Sequence, residues 1–385
     1  MTIIQLNRLS PFIYPLLSLI LGIYWQSRFC FCFRALITII IILFALLIFL
    51  ESACIDFFKK LRNFDTRYGE LIIYYLFFIS GALLFQSQIN NSYYLLNKFK
   101  NKNLNIIARV KDKEKVENNN IKKEILNLQV IKTQKLTQPY YKETNFNLLC
   151  YTQTPTTTKV GDTVLIKNVF LKNQKESNLT AKFPTFYDYL IKENILCSVF
   201  VKNLDYKIIS SPYFNIKRWI HDKKIAVYNN LKTKILPKTF YFFSSIFLGN
   251  RKECCINKFK NQFCLWGISH YLARAGLHIA LFIFIWGLIL FFLPLNIYIK
   301  KSFLLIICFI YNLFSWTSIS FVRALYLFFI LQSGRILDQQ INFLHSLTLI
   351  CLIILLFNPI QLFFLDFQLS FALTFALAIP LNKLK

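Results

Sequence analysis

The chain has 385 residues, 56% of them hydrophobic and 17% aromatic, with only 9 glycines. That balance excludes an ordinary soluble domain and points to an integral membrane protein. The net charge of +27 admits nucleic acid as a partner without establishing one, because Lys, Asn, Ile, Phe and Tyr are abundant together, as a low-GC coding bias produces, and net charge bears on non-specific binding rather than identity.

Three apolar runs open the chain, at residues 9–25, 35–50 and 71–85. Each is near the lower length limit for crossing a hydrocarbon core, and aromatic ends such as Tyr24 and Trp25 suit the interface. No small-residue cleavage site follows the first run, so it reads as a retained helix. Lys59, Lys60, Arg62 and Arg67 crowd the second link, whereas Arg28 and Arg34 alone mark the first. The excess of basic residues assigns the second link and the N-terminus to the cytoplasm. Residue 90 onward then emerges outside, since long domains translocate largely regardless of charge.

Residues 98–238 carry 27 basic and 11 acidic side chains and no spanning run. Alternating segments predict strands at 104–110, 125–131, 148–151 and 164–170, the last following a Gly161-Asp162 turn. A short helix at 186–193 precedes a fifth strand at 195–201. This pattern fits a small Greek-key barrel of the OB type, and a generic β domain fits almost as well. Residues 213–236 form a basic amphipathic stretch suited to the membrane surface or to the helix bundle. Residues 239–248 are apolar but too short to span. Further apolar runs follow at 277–293, 302–314, 321–331, 343–357 and 363–379, with a polar joint at Ser315-Trp316-Thr317-Ser318. Broken helices survive at membrane depth where protein or a cavity shelters them.

Polar residues inside these greasy runs are the candidates for function, because lipid offers no water to pair them. Arg274 and His278 lead into the 277–293 run; Arg323 lies between two runs; Asp366, Gln368 and Ser370 open the last one. Asp366 is the natural candidate partner for Arg323. His270 and His278 are eight apart, about 80° around a continuous helix, so they share no tight face. A phosphate-binding GxxxxGK[ST] loop, an HExxH pair and a GxSxG elbow are all missing from the sequence, which predicts neither a built-in ATP motor nor an enzyme of those classes. Cys254, Cys255, Cys264 and His270 can be drawn as a zinc site, but their spacing matches no familiar template, and no metal or cofactor is expected. Cys150 and Cys197 share the large polar region and would be free to pair if it faces an oxidising side.

The C-terminal half resembles the ComEC competence-protein family, the inner-membrane channel through which bacteria take in transforming DNA as a single strand. The residues that carry the resemblance are Phe247-Leu248-Gly249-Asn250-Arg251, then Gly267-Ile268-Ser269-His270-Tyr271-Leu272-Ala273-Arg274-Ala275-Gly276-Leu277-His278. Tyr311 with Val322-Arg323-Ala324, and Asn358-Pro359 with Asp366-Phe367-Gln368-Leu369-Ser370-Phe371, complete the series in order. Val160-Gly161-Asp162 and the 186–195 segment are weaker landmarks of the family's OB-like domain. The sequence departs from the pattern at Arg274, Ala275, Ser315 and Asp366. Family members continue into further helices and a metallo-hydrolase-like domain, whereas this chain ends at Lys385.

The resemblance implies a polytopic α-helical protein of the bacterial cytoplasmic (inner) membrane with an inserted OB-like extracytoplasmic β-barrel. Its parts would be three N-terminal spanning helices (1–89), the OB-like domain (90–210), the amphipathic helix (211–238) and a competence-type channel domain, incomplete at its C-terminus (239–385). Arg274, His278, Arg323, Gln368 and Asp366 would line or brace a path for single-stranded DNA. Gly249, Arg251, Gly267, His270, Gly276, Tyr311, Pro359 and Ser370 would shape it. Membrane lipid, a separate nuclease, a DNA receptor, a cytoplasmic helicase and further copies of the chain are the expected partners. Two other readings stand beside this one. The first is a membrane-embedded hydrolase or transferase of an envelope polymer, with His278 and Asp366 as acid and base. The second is a truncated remnant without function.

Overall fold

The computed structural model describes residues 10–29, 67–99, 102–118, 121–135, 140–171, 186–201, 205–249, 265–266, 276–316 and 318–383. In chain order these form α1 (Ile13–Phe29), α2 (Arg67–Phe99), β1 (Asn103–Asn118), β2 (Ile121–Lys135), β3 (Lys142–Thr152) and β4 (Thr163–Phe170). Then come α3 (Phe186–Lys192), β5 (Ile195–Val201), β6 (Tyr206–Ser210), α4 (Ile216–Lys234), α5 (Pro237–Phe243) and a π-helical turn (Ser244–Leu248). The chain closes with α6 (Gly276–Phe291), α7 (Ile297–Phe314), α8 (Ile319–Ile336), α9 (Phe343–Phe357), a 3-10 turn (Pro359–Phe363) and α10 (Leu365–Lys383). The expected run at 35–50 lies outside the described residues.

Two compact units divide the chain: Met1–Tyr94, Glu176–Lys192 and Gln339–Lys385 make the first, and Leu95–Lys175 with Glu193–Asp338 the second. In the first unit α1 and α2 cross backbone to backbone at two glycines. A Cβ on Gly22 would collide with the Phe78 carbonyl oxygen, and one on Gly81 would sit 2.5 Å from that of Leu19. Small residues at such crossings let helix backbones approach where no hydrophobic gradient drives association. Helix α9 buries Leu344, Leu347, Ile350, Cys351 and Leu355, a stripe at helical spacing. Its Thr348 hydroxyl meets that of Ser10 at 2.9 Å.

The second unit holds a six-stranded sheet in the order β5-β3-β2-β1-β4-β6. All pairings are antiparallel except β3 with β5. The five expected strands are present, but the sheet is open rather than a closed barrel, because the added strand β6 occupies the free edge of β4. Strand β1 also continues to Asn118, well beyond the hydrophobic alternation that ends at Val110. Inward residues recur with the period of two that a pleated strand imposes: Leu104, Ile106, Ala108 and Val110 on β1, Leu126, Leu128 and Val130 on β2, Leu148 and Cys150 on β3. Phe99, at the end of α2, closes this core against Phe146 with ring centroids 5.5 Å apart.

Helices α6, α7 and α8 pack around Ile279, Cys308, Phe321 and Leu325. Helices α7 and α8, 18 residues each, are long and apolar enough to cross a membrane, while α6, α9 and the apolar part of α10 (Leu365–Pro380) are shorter apolar segments.

Cys150 and Cys197 are both buried free thiols. The parallel register sets Cys150 beside Val199 and Cys197 beside Leu148, so the two are staggered by two residues and do not form the disulfide that their shared region allowed. Burial pushes both thiols up to about 12 from 9.0, because desolvation penalises the thiolate. The nucleophile is the thiolate. A chain retaining Cys150 and Cys197 with the other cysteines changed to Ser should therefore resist maleimide at pH 8 while folded and react on denaturation. The neutral thiols contribute fully below pH 9, and that contribution should fade as pH rises toward 12, since the unfolded chain ionises first.

Candidate functional site

In the second unit, the motif residues gather where the chain enters and leaves the helical bundle. The π-helical turn ends at Gly249, whose φ of 79° lies in the left-handed region and whose N–H returns to the Ser244 carbonyl. Glycine adopts that conformation without Cβ strain. The carbonyls this turn exposes find donors across the bundle. Tyr311 Oη donates to the Phe247 oxygen at 2.7 Å, and the Trp316 amide donates to the Leu248 oxygen at 2.8 Å. Tyr311 is itself held by Phe282, stacked at 4.1 Å, and by the edge of Phe321 at 5.6 Å.

His278 lies edge-on to Phe247 at 6.5 Å. Two residues earlier, Gly276 permits α6 to press on α8: a Cβ there would stand 3.2 Å from the Ala324 Cβ and 3.9 Å from an Arg323 Nη. Arg323, His278, Gly276 and Tyr311 thus occupy one neighbourhood of the second unit. A guanidinium, an imidazole and a set of ring faces can hold a phosphate and a flat base, chemistry that needs no nucleophile. Among the described residues no three His, Cys, Asp or Glu side chains come together as a metal would need. Arg251, Gly267, His270, Arg274 and the drawn zinc ligands Cys254, Cys255 and Cys264 lie outside the described residues.

Helix α4 ties the sheet to this bundle within the same unit. Asp162, 4% exposed at its side chain, accepts from Arg218, and Arg218 Nε also donates to the Val160 oxygen at 2.8 Å. The Val160-Gly161-Asp162 turn, with Gly161 at φ 93°, is therefore a grip for the helix. One turn on, His221 Nε2 bonds the Lys113 carbonyl at 2.9 Å. Farther along, the Lys224 ammonium sits 3.8 Å from the Trp316 ring centroid and donates to the Ser315 oxygen at 3.1 Å. The amphipathic stretch thus packs against protein on this face, and Trp219 and Val227 stay exposed. Sequence reasoning passes over Lys224 and Trp316; a lysine on the inner face of an amphipathic helix is the available signal.

The outer face of the sheet combines rings and cations. Phe200, 74% exposed, stacks on Tyr151 at 4.6 Å with planes 9° apart. Arg109 and Lys111 are exposed on β1, and Lys111 Nζ reaches Asn147 Oδ1 at 2.9 Å.

The first unit holds the remaining candidates. Asp366 meets Lys192 at 3.1 Å, an ion pair within the first unit that the sequence did not suggest. Lys192, only 8% exposed at its side chain, also lies 4.5 Å from the Phe364 ring centroid. Its carbonyl accepts from Asn358 Nδ2 at 2.7 Å, and Asn358 Oδ1 accepts from Gln88 at 3.2 Å. The two C-terminal motif segments therefore close on one lysine. Pro359 is buried at the start of the 3-10 turn. Gln368 is exposed, with its amide on the Leu362 oxygen at 2.8 Å. The Ser370 hydroxyl is buried without a hydrogen-bond partner among the described residues.

Residues 246–385 match the family described as Competence protein. ComE operon protein 3 of Bacillus subtilis (strain 168) is 32% identical over 113 residues, which cover 29% of this chain and 14% of that protein. No solved structure matches the chain.

Removing one partner of a buried ion pair costs more than the pair's net worth, because the other charge stays desolvated. Asp366→Ala should lower stability by about 1–2 kcal/mol, reduced from the fully buried figure because the carboxylate is half exposed. Lys192→Met should cost less, since Asp366 can turn to water. Thermal unfolding in detergent compares the two.

Proposed function

We propose that this protein is a channel component of the bacterial inner membrane that passes single-stranded DNA inward during natural competence. The observation that carries the reading is a coincidence of position. The competence-family match covers the helices on which Gly276, His278, Tyr311 and Arg323 gather. Apolar helices α7 and α8 support a membrane location, and the bundle presents a cation and an imidazole where a phosphate backbone would pass.

The sheet supplies the receiving surface in this reading. Its core order β5-β3-β2-β1-β4 with a parallel β3–β5 pair supports a partly open Greek-key barrel of the OB type, with β6 as an addition. The Phe200 and Tyr151 rings offer a stacking platform that any base can use, and Arg109 and Lys111 offer charge to phosphates. Helix α4 would guide the strand from sheet to bundle, because its first turn is bound to one and its middle to the other.

Two measurements test the proposal. The purified full chain in detergent should bind oligothymidylate, with log affinity falling about 0.7 for each phosphate contact per tenfold rise in salt. Phe200→Ala should weaken that binding roughly tenfold. In a deletion strain, Arg323→Ala should fail to restore natural transformation where the unaltered chain succeeds. Salt-independent binding, or full restoration by Arg323→Ala, would count against the reading.

A further inference from the structure

At the end of the bundle opposite Arg323 and His278, helices α6, α7 and α8 leave a trough of about 320 Å³. Its walls are mostly apolar, with Leu290 and Leu304 7% and 8% exposed. Gly287 opens its floor: a Cβ there would meet nothing within 4 Å. Gln332, 6% exposed, lines it with a side-chain amide that makes no hydrogen bond among the described residues.

Lys300 and Lys301 stand at the start of α7 and also line the trough. Their ammonium groups donate to the Phe291 oxygen at 3.0 Å and the Arg335 oxygen at 2.9 Å. Neither has a carboxylate within ion-pair distance among the described residues. The one acidic side chain close by, Asp338, accepts from Tyr298 Oη at 2.8 Å. The site is thus apolar in depth, polar at one point and cationic at its edge.

We propose that this trough binds an anionic glycerophospholipid. One acyl chain lies along Leu290, Gly287 and Leu304. The glycerol ester region meets the Gln332 amide, and the phosphate lies between Lys300 and Lys301. Complementarity selects this occupant: a soluble anion leaves the apolar depth unfilled, and a zwitterionic lipid sets its own cation against two lysines. Basic pockets between spanning helices on the cytoplasmic side hold acidic headgroups in the same manner. Lys300, Lys301 and Arg335 cluster at this end, as the distribution of basic residues demands of a cytoplasmic face.

The inference rests on α7 and α8 lying in the membrane, so carbonate extraction of membranes comes first. Release of the chain into the soluble fraction removes that premise and the lipid site with it. With the chain retained, native mass spectrometry of the detergent-purified full chain is made with added phosphatidylglycerol or phosphatidylcholine. Phosphatidylglycerol should remain bound at roughly tenfold lower concentration than phosphatidylcholine. Lys300→Gln with Lys301→Gln should abolish that preference. Gly287→Leu, which has space for its side chain, should lower binding of both lipids. Equal retention of the two lipids by the unaltered chain, an unchanged preference in the double variant, or undiminished binding in Gly287→Leu overturns the site. Displacement by glycerol 3-phosphate at millimolar concentration overturns it too, by making the occupant a soluble anion.

Discussion

A carbonyl released from a helix among apolar side chains has to find a donor in the protein, and here the Tyr311 hydroxyl and the Trp316 amide supply two. Those bonds fasten the π-helical turn before the bundle to the polar joint between α7 and α8. Hydrogen bonds of this sort contribute about 1 kcal/mol each when made, and an unmet buried carbonyl costs about 1–3 kcal/mol. The arrangement around Gly276, His278 and Arg323 follows from it. Tyr311 fixes Phe247, Phe247 presents its ring to His278, and the packing of Phe282 and Phe321 on Tyr311 sets how α6 and α8 meet.

Helix α4 solves a different problem. A polar sheet and a greasy bundle share no common surface chemistry, so the link between them is built from side chains that have both. Arg218 is received by a glycine turn whose carboxylate is almost fully buried, and Lys224 lays its stem and charge on an indole. A cation on a ring contributes about 0.5–2 kcal/mol depending on desolvation. The sheet's position relative to α7 therefore depends on a few charged contacts, which salt and substitution can reach.

Much of this was open to sequence reasoning, and its limits have physical causes. Apolar runs mark the helices because lipid-facing and core-facing positions are both hydrophobic. Boundaries moved where polar residues continue a helix: α2 runs to Phe99 through Gln86, Gln88 and Asn90, which interrupt hydrophobicity without breaking the backbone pattern. The outer half of the β1–β2 hairpin carries Lys, Glu and Asn, so alternation of hydrophobicity is silent there. Gly276 and Tyr311 were legible as motif residues, and the structure gives each a mechanical reason. The partner of Asp366 was not legible. Its polar position at the head of an apolar run pointed to Arg323; the cation that meets it within its own unit, Lys192, lies 174 positions away, and an ion pair across such a separation leaves no periodic trace.

The irregularity in β1 between Val110 and Asp112 has a bearing on how this strand can change over generations. With one residue bulged out, Lys111 is left in solvent while Lys113 turns inward to Glu124 at 3.3 Å, beside Thr156 and Thr158. Strict alternation carried on from Val110 without the bulge would instead turn Asp112 inside and leave a buried glutamate without its lysine. The bulge alone reconciles Val110 and Lys113, three positions apart, as residues on the same face, so substitutions that keep it keep the ion pair.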